Sequence, residues 1–311
     1  MAPINLGCCR GTDRCLLCNP PPPLPTPDVV EALVASYRGR PGQTGPVVPA
    51  FFGGDPPPAP LVEALGGLPY HARVRPDALS KSEARRLIAT GCVRIELDVL
   101  TLHGGALRTV NRRYGPKLAM EMVDTLGEWG VAVSVVLAPG LPSMAYGDSV
   151  ADAEAFAGRV PLARLHPVLV LDRAGLREFH AEGRYVPLTV GDAVTVCRTM
   201  MDRLEPAGTE VIRVGQQPAH DGLGRAIAGP RHTALRELVE SRRALDAIQA
   251  QCRALPDRSE ARIRCNPADV GRVRGPMNQH IRTLRAENRL ASVDVKADPG
   301  IPRGQYLVES A

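Results

Sequence analysis

Lysine is nearly missing from this 311-residue chain. Lys81, Lys117 and Lys296 are the only three, so its 38 basic residues are almost all arginine. Aromatic residues make up 4% of the chain, with Trp129 the single tryptophan, which argues against base-stacking platforms and aromatic cages. The longest apolar run, Val131 to Leu137, is far too short to span a bilayer. No apolar stretch with a basic lead marks the N-terminus. The expectation is a soluble, cytoplasmic protein with no membrane partner. No Gly-x-Gly-x-x-Gly follows the first predicted strand, which counts against a dinucleotide site. His103, His166, His180, His220 and His232 form no His-x-x-x-His pair, and of these only His166 is read as facing a pocket.

Cysteine is unevenly placed. Four of the eight, Cys8, Cys9, Cys15 and Cys18, fall near the start. In a reducing compartment such crowding points to a metal or cluster rather than to disulfides. Cys15 and Cys18 form a Cys-x-x-Cys pair able to share one ion. Four thiolates would suit structural zinc. The adjacent Cys8 and Cys9 diverge in an extended chain, so a three-cysteine site with one spare thiol fits better. Three thiolates leave one iron of a four-iron cluster open. Cys92, Cys197, Cys252 and Cys265 are scattered and read as packing residues.

A proline-dense stretch from Pro20 to Pro27 must be extended. Asp28 then caps a helix, VVEALVASY. Short apolar strands follow at 47–52, 71–74, 93–100, 131–139, 163–171 and 210–215, after a very short first strand at 3–6. Helices are expected from Ser80, whose Glu83 completes a capping box, and over 116–129, 149–157 and 174–180. Strands alternating with amphipathic helices imply βα units around a parallel sheet of about six strands, either a partial barrel or an open doubly wound sheet. In a parallel barrel the working groups stand at the C-terminal strand ends. Those ends carry Gly53-Gly54-Asp55, Arg75, Glu96, Asp98, Pro139-Gly140, Arg164 and His166. The cysteine loop follows the first strand and so belongs to the same face.

From Arg231 onward there are 15 Lys+Arg against 10 Asp+Glu, which equals the whole chain's net charge of +5. A basic region on a balanced body suits RNA or another polyanion; compositional drift would give the same count. The domain boundaries read as 1–235 for the barrel, 236–256 for a connecting helix and 257–311 for a small basic α+β module.

Seven segments in order resemble a known family. LGCCRGTDRCLLCNP, FFGGDPP, RVRPDAL, GCVRIELDVLTL, VNRRYG, the long run from Ala163 to Val194, and VIRVGQQPAHD with GPRHTALRELVESR are similar to the radical S-adenosylmethionine proteins of the type formed by the catalytic subunit of Elongator and its short bacterial relatives. The similarity covers most of residues 1–245. It implies a partial (β/α)6 TIM-like barrel of radical SAM type, a [4Fe–4S] cluster and S-adenosylmethionine. Cys15 and Cys18 would be cluster ligands, with Cys9 the third and Cys8 its alternative. Gly53 and Gly54 would let the backbone approach the nucleotide's methionine, and Glu96 would face the same cavity. Arg75, Arg112 and Arg164 would line the substrate side and suit an anionic substrate such as RNA. The cofactor would be cleaved reductively with electrons from a flavodoxin or ferredoxin, and hydrogen would be abstracted from the substrate. The chain departs from the family pattern in its step from Cys9 to Cys15, and in Arg164 and His166, where Lys and Tyr are common. No segment resembles an acetyltransferase domain, so acetyl-coenzyme A chemistry is not expected. The rival reading is a non-catalytic binding protein of the same fold, holding zinc or no metal.

The C-terminal module is similar to the helix-loop-helix of a KH domain, whose Gly-x-x-Gly loop clamps nucleic-acid backbone. Here the loop is Gly275-Pro276-Met277-Asn278, flanked by Arg272 and Arg274, with Arg282, Arg285 and Arg289 beyond. A solvated, arginine-rich helix packed on the barrel is the other reading.

Overall fold

β-branched apolar runs punctuated by glycine and proline fold as a parallel sheet with helices on its outer face. The computed structural model describes residues 1–7, 14–40, 42, 44–216 and 224–310, in two compact units, Met1–Thr233 and Ala234–Ala311. The first unit holds β1 (Ala2–Gly7), β2 (Pro49–Gly53), β3 (Tyr70–Val74), β4 (Cys92–Leu100), β5 (Ala132–Leu137), β6 (Leu162–Leu165), β7 (Val170–Leu171), β8 (Glu210–Val214) and β9 (Ala226–Ala228). Between them lie α1 (Pro27–Arg38), α2 (Ala59–Glu63), α3 (Lys81–Ala89), α4 (Gly104–Thr109), α5 (Pro116–Glu128), α6 (Tyr146–Phe156), α7 (Leu176–Ala181) and α8 (Val190–Leu204).

Seven strands form the main sheet in the order β1-β2-β3-β4-β5-β6-β8, each parallel to its neighbours. Strand order follows chain order without reversal. That is the winding of a partial barrel; a doubly wound sheet would reverse at a switch point. The count is seven because β1 forms an edge strand ahead of the six. The expected strand over 163–171 is broken. β6 stops at Leu165, Pro167 has no N–H to continue a ladder, and β7 instead pairs antiparallel with β9.

Local signals explain several elements. Ser80 accepts from the Glu83 N–H at 3.1 Å and starts α3. Asp28 is not a cap: α1 begins at Pro27, with Thr26 ahead of it and Asp28 in the first turn. Three helices, the short α2 and α4 and the long α8, have no counterpart in the sequence reading; α8 is the one with a clear local signal. Its signal is a Thr189–Asp192 capping box, with Ala193, Val196, Cys197, Met200, Met201 and Leu204 buried at helical spacing.

The side-chain period of two divides β4 between two environments. Ile95, Leu97 and Val99 are fully buried apolar residues. Glu96 and Asp98 alternate with them and are also buried, at 4% and 3% exposure. One face of the sheet is therefore a hydrocarbon core and the other a buried polar interior.

The second unit opens with α9 (Leu235–Cys252), followed by β10 (Glu260–Cys265), α10 (Val270–Arg274), α11 (Gln279–Glu287), β11 (Ser292–Ala297) and β12 (Tyr306–Ser310). Its sheet has β10 in the centre, parallel to β11 and antiparallel to β12. Leu245, Ile248 and Cys252 of α9 share one core with Ala261, Ile263, Cys265, Val273, Leu284 and Leu290. The helix read as a connector is thus part of this unit.

Candidate active site

The strand ends of the first unit converge on a charged interior. Arg73 on β3 and Glu96 on β4 are register partners, so their side chains share the inner face. Arg73 ion-pairs with Asp98 and lies 3.8 Å from Glu96. Arg112, after α4, meets the other Asp98 oxygen at 2.8 Å. Arg164 on β6 donates to Glu96 Oε2 at 2.5 Å, and the Ser134 hydroxyl lies 3.4 Å from the same oxygen. Burial alone would raise the Asp98 carboxyl, but Arg73 and Arg112 outweigh it and hold the group below the ordinary carboxylate range.

β4 ends in a local irregularity. Leu100 has a φ of 64°, and the register with β5 shifts between Leu97 and Leu100. The Tyr114 hydroxyl lies 3.0 Å from the Asp98 carbonyl and 2.7 Å from that of Val99, fixing the strand end that carries Asp98. Asp152 on α6 accepts the Leu102 N–H at 2.7 Å, and burial raises its carboxyl to about 6.

The cysteine loop returns to this mouth. Gly7, at φ 72°, ends β1, and a Cβ there would lie 2.4 Å from the Pro21 Cβ. The chain therefore leaves and comes back at one point. Leu16 N donates to Val110 O at 3.1 Å, and Leu176 N donates to Leu16 O at 2.8 Å. Asn111 Nδ2 donates to Arg14 O at 2.8 Å. Asn19 donates to Asp172 at 3.0 Å and accepts from Arg173 N at 2.9 Å. These bonds clamp residues 14–19 between the end of α4 and the start of α7. Cys15 is buried and Cys18 half-buried, and Cys15 lies close enough to Asp98 to bear on its ionisation. Cys8 and Cys9 lie outside the described residues. Cys92, Cys197, Cys252 and Cys265 are all buried, with their thiols pushed up by burial.

The other expected site residues fall as follows. A Cβ on Gly53 would come within 3.0 Å of Gly7 O and Leu6 Cβ, so close β1–β2 packing already accounts for that glycine. Gly54 N donates to Gly7 O at 3.3 Å, and Arg75 N donates to Gly54 O at 2.8 Å. Arg75 pairs with Asp77 at 3.1 Å and with Asp55 at 4.0 Å. Each of the three substrate-side arginines, Arg75, Arg112 and Arg164, is thus engaged by a carboxylate. Sequence reading missed Arg73 as the link between Glu96 and Asp98, although it lies within the strand expected over 71–74. His166 lies just past β6, 5% exposed. His103 caps α4, accepting from Ala106 N at 3.1 Å.

In the second unit, Arg272 is tied to Glu237 at 2.6 and 2.9 Å and to buried Asp269 at 3.2 Å. Arg274 is exposed. Gly275, at φ 66°, lies under the His280 ring, which a Cβ would approach to 2.6 Å. Met277 and Asn278 also have positive φ, and Met277 is 87% exposed.

A family model, the Radical_SAM C-terminal domain, matches residues 160–244. Elongator complex protein 3 of Mus musculus is 27% identical over 208 residues, 64% of this chain and 37% of that protein. The chain thus resembles the radical SAM proteins of the type formed by the catalytic subunit of Elongator. The tRNA uridine(34) acetyltransferase of Dehalococcoides mccartyi is 26% identical over 174 residues, 54% of this chain and 37% of that enzyme. Both matches thus span little more than a third of the relative's length. Among solved structures, the archaeal Methanocaldococcus infernus Elp3 with an N-terminal deletion superposes with a TM-score of 0.61 at 17% identity. That superposition covers 88% of this chain and 66% of that one, and it supports the α/β partial barrel of radical SAM type. No described helix is long and apolar enough to cross a membrane.

Proposed function

We propose that this chain is a radical SAM enzyme that binds a [4Fe–4S] cluster and S-adenosylmethionine and abstracts hydrogen from an RNA substrate, in the cytoplasm, with electrons from a flavodoxin- or ferredoxin-like donor. The observation that carries the reading is the clamped loop bearing Cys15 and Cys18 at the mouth of a buried, arginine-rich strand-end interior. Two thiols three residues apart suit a cluster's soft irons. In this reading Cys9 is the third thiolate ligand, with Cys8 its alternative. When bound, the cluster supplies the electron that cleaves the sulfonium and yields the carbon radical. The chain's part is orientation and exclusion of water. Gly53 and Gly54 would present backbone free of side chains at the β2 end. Glu96, held by Arg164, offers a fixed carboxylate to the nucleotide. Arg75, Arg112 and Arg164 set a positive potential for an anionic substrate.

For the second unit, we propose RNA contact through the loop at Gly275, with Arg274 the exposed cation beside it. Arg272 would act indirectly, since its guanidinium is already bound to Glu237 and Asp269.

The test is anaerobic purification and reconstitution. About four irons per chain, with 5′-deoxyadenosine released on adding dithionite and S-adenosylmethionine, is the expected outcome. Stoichiometric zinc, or a reconstituted cluster that releases none, would overturn the enzymatic reading.

A further inference from the structure

The second unit closes one edge of its sheet and leaves the other open. On the β12 side, Gln251 of α9 turns its side-chain amide onto the strand. Its Nε2 donates to Tyr306 O at 3.0 Å and its Oε1 accepts from Val308 N at 3.1 Å. Those are outward backbone groups that an added strand would use, so this edge is blocked. β11 forms the opposite edge and has no strand on its outer side among the described residues. Asp298 N donates to Cys265 O at 2.8 Å, which sets the alternation along β11. Even-numbered residues turn their backbone groups to β10, and Val293, Val295 and Ala297 turn theirs outward. Side chains alternate between the two faces. Val293 and Val295 pack on the core, whereas Asp294 and Lys296 are exposed on the other face. Asp298, the acid nearest Lys296 in the sequence, is taken by Arg264.

We infer that β11 is a homodimer interface: two copies of this chain pair their β11 strands antiparallel about a twofold axis at Val295, making one six-stranded sheet. A second copy is the occupant because the strand is complementary to itself. With the two Val295 residues opposite one another, Asp294 of each copy faces Lys296 of the other, and Val293 faces Ala297. The odd-numbered pairs exchange the backbone hydrogen bonds. The charged pairs fall at the positions between them, where facing side chains come closest. An axis at Asp294 or at Lys296, the neighbouring registers that keep the core faces together, would set like charges face to face. Charge therefore selects one register. The interface is isologous, so it closes at two copies.

The test is sedimentation equilibrium of the full chain. Pairing through one short edge strand belongs with small, transient interfaces, so the measurement runs from about 1 μM to about 500 μM. The expected result is a reversible monomer–dimer equilibrium within that range. Asp294→Lys and Lys296→Asp each bring like charges together twice per dimer, so each variant alone should associate at least about tenfold more weakly. Mixed in equal amounts, the two variants should recover the parent's association as a mixed dimer, because every charge then meets its opposite. A variant carrying both changes should dimerise like the parent. Misfolding cannot produce recovery on mixing, and if one variant fails to fold, the doubly changed chain decides. A parent that stays monomeric to about 500 μM overturns the inference, whatever strand of another protein it binds. So does a dimer that neither reversal weakens, or a loss that neither mixing nor the double change restores.

Discussion

The two units solve the burial of arginine in opposite ways. In the first, Arg112 and Arg164 lie inside, 3% and 9% exposed, matched to Asp98 and Glu96 of β4. In the second, the core of α9, β10, α10 and α11 is aliphatic and thiol-bearing. Arg274 and Arg289 stay at its surface, and the buried carboxylate Asp269 is met by Arg272 and by the Gly304 N–H at 2.8 Å. Burying a charge is costly unless it is paired, so a charged interior needs a reason that a hydrocarbon core does not. Preparing a site for a charged ligand is such a reason. The first unit gives up packing simplicity for a preorganised electrostatic field, and the second is built for stability.

The sharpest way to break this comparison is to remove one acid. Asp98→Ala would strand the Arg73 and Arg112 guanidiniums and should destabilise the first unit by about 3–5 kcal/mol. Ile263→Ala in the second unit should cost a comparable 2–5 kcal/mol, by leaving a cavity. Trp129, in α5's C-terminal turn, is the single tryptophan, so its fluorescence in a urea titration reports the first unit alone. Asp98→Ala should move that transition and Ile263→Ala should not; equal shifts would mean that the units unfold together.

A smaller effect is expected from pH. Burial and Arg94 lower the His71 imidazole to about 4, and His166 is lowered as well. Below an ordinary histidine value of about 6.5 the unfolded chain takes up protons that the native state refuses. Stability of the first unit should therefore fall as pH drops from about 6.5 towards 4, by roughly 1.4 kcal/mol per pH unit for each imidazole. Asp152 works in the opposite sense, its raised carboxyl favouring the native state as pH falls through about 6 towards 4. His71→Asn should flatten the tryptophan-detected slope. An unchanged slope would show that His71 titrates normally in the native state.

The smallest expected change concerns Arg272. Arg272→Ala should cost the second unit about 1–2 kcal/mol, because Asp269 loses its nearest guanidinium. Arg274→Ala should leave stability within about 0.5 kcal/mol while reducing the salt dependence of RNA binding. Urea unfolding followed at Tyr306, with filter binding at two salt concentrations, separates the two. If Arg272→Ala weakens RNA binding with no loss of stability, Arg272 contacts RNA directly.

Much of the fold is legible in the chain because its signals are local. Ser80 and Glu83, the apolar runs of β4 and β5, and the glycine after α5 act within a few residues. Even the missed α8 carries its capping box in plain sight at Thr189 and Asp192. The break after His166 is legible too, in Pro167, once the missing N–H is counted. The candidate site is less so. Cys15 and Cys18 announce themselves by spacing, but the bonds that clamp their loop join Asn19 to Asp172 and Arg14 to Asn111, partners about a hundred residues or more apart.

By itself, then, the sequence determined which segments are strands and helices, which face of each is apolar, and that thiols are crowded near the start. These depend on periodicity and neighbour identity within one segment. Only the tertiary structure decided that Arg73 bridges Asp98 and Glu96 and that Arg164 is spent on Glu96. Those pairings are lateral. They are set by the register of parallel strands joined through long crossovers, and a one-residue slip would turn every one of these side chains to the opposite face.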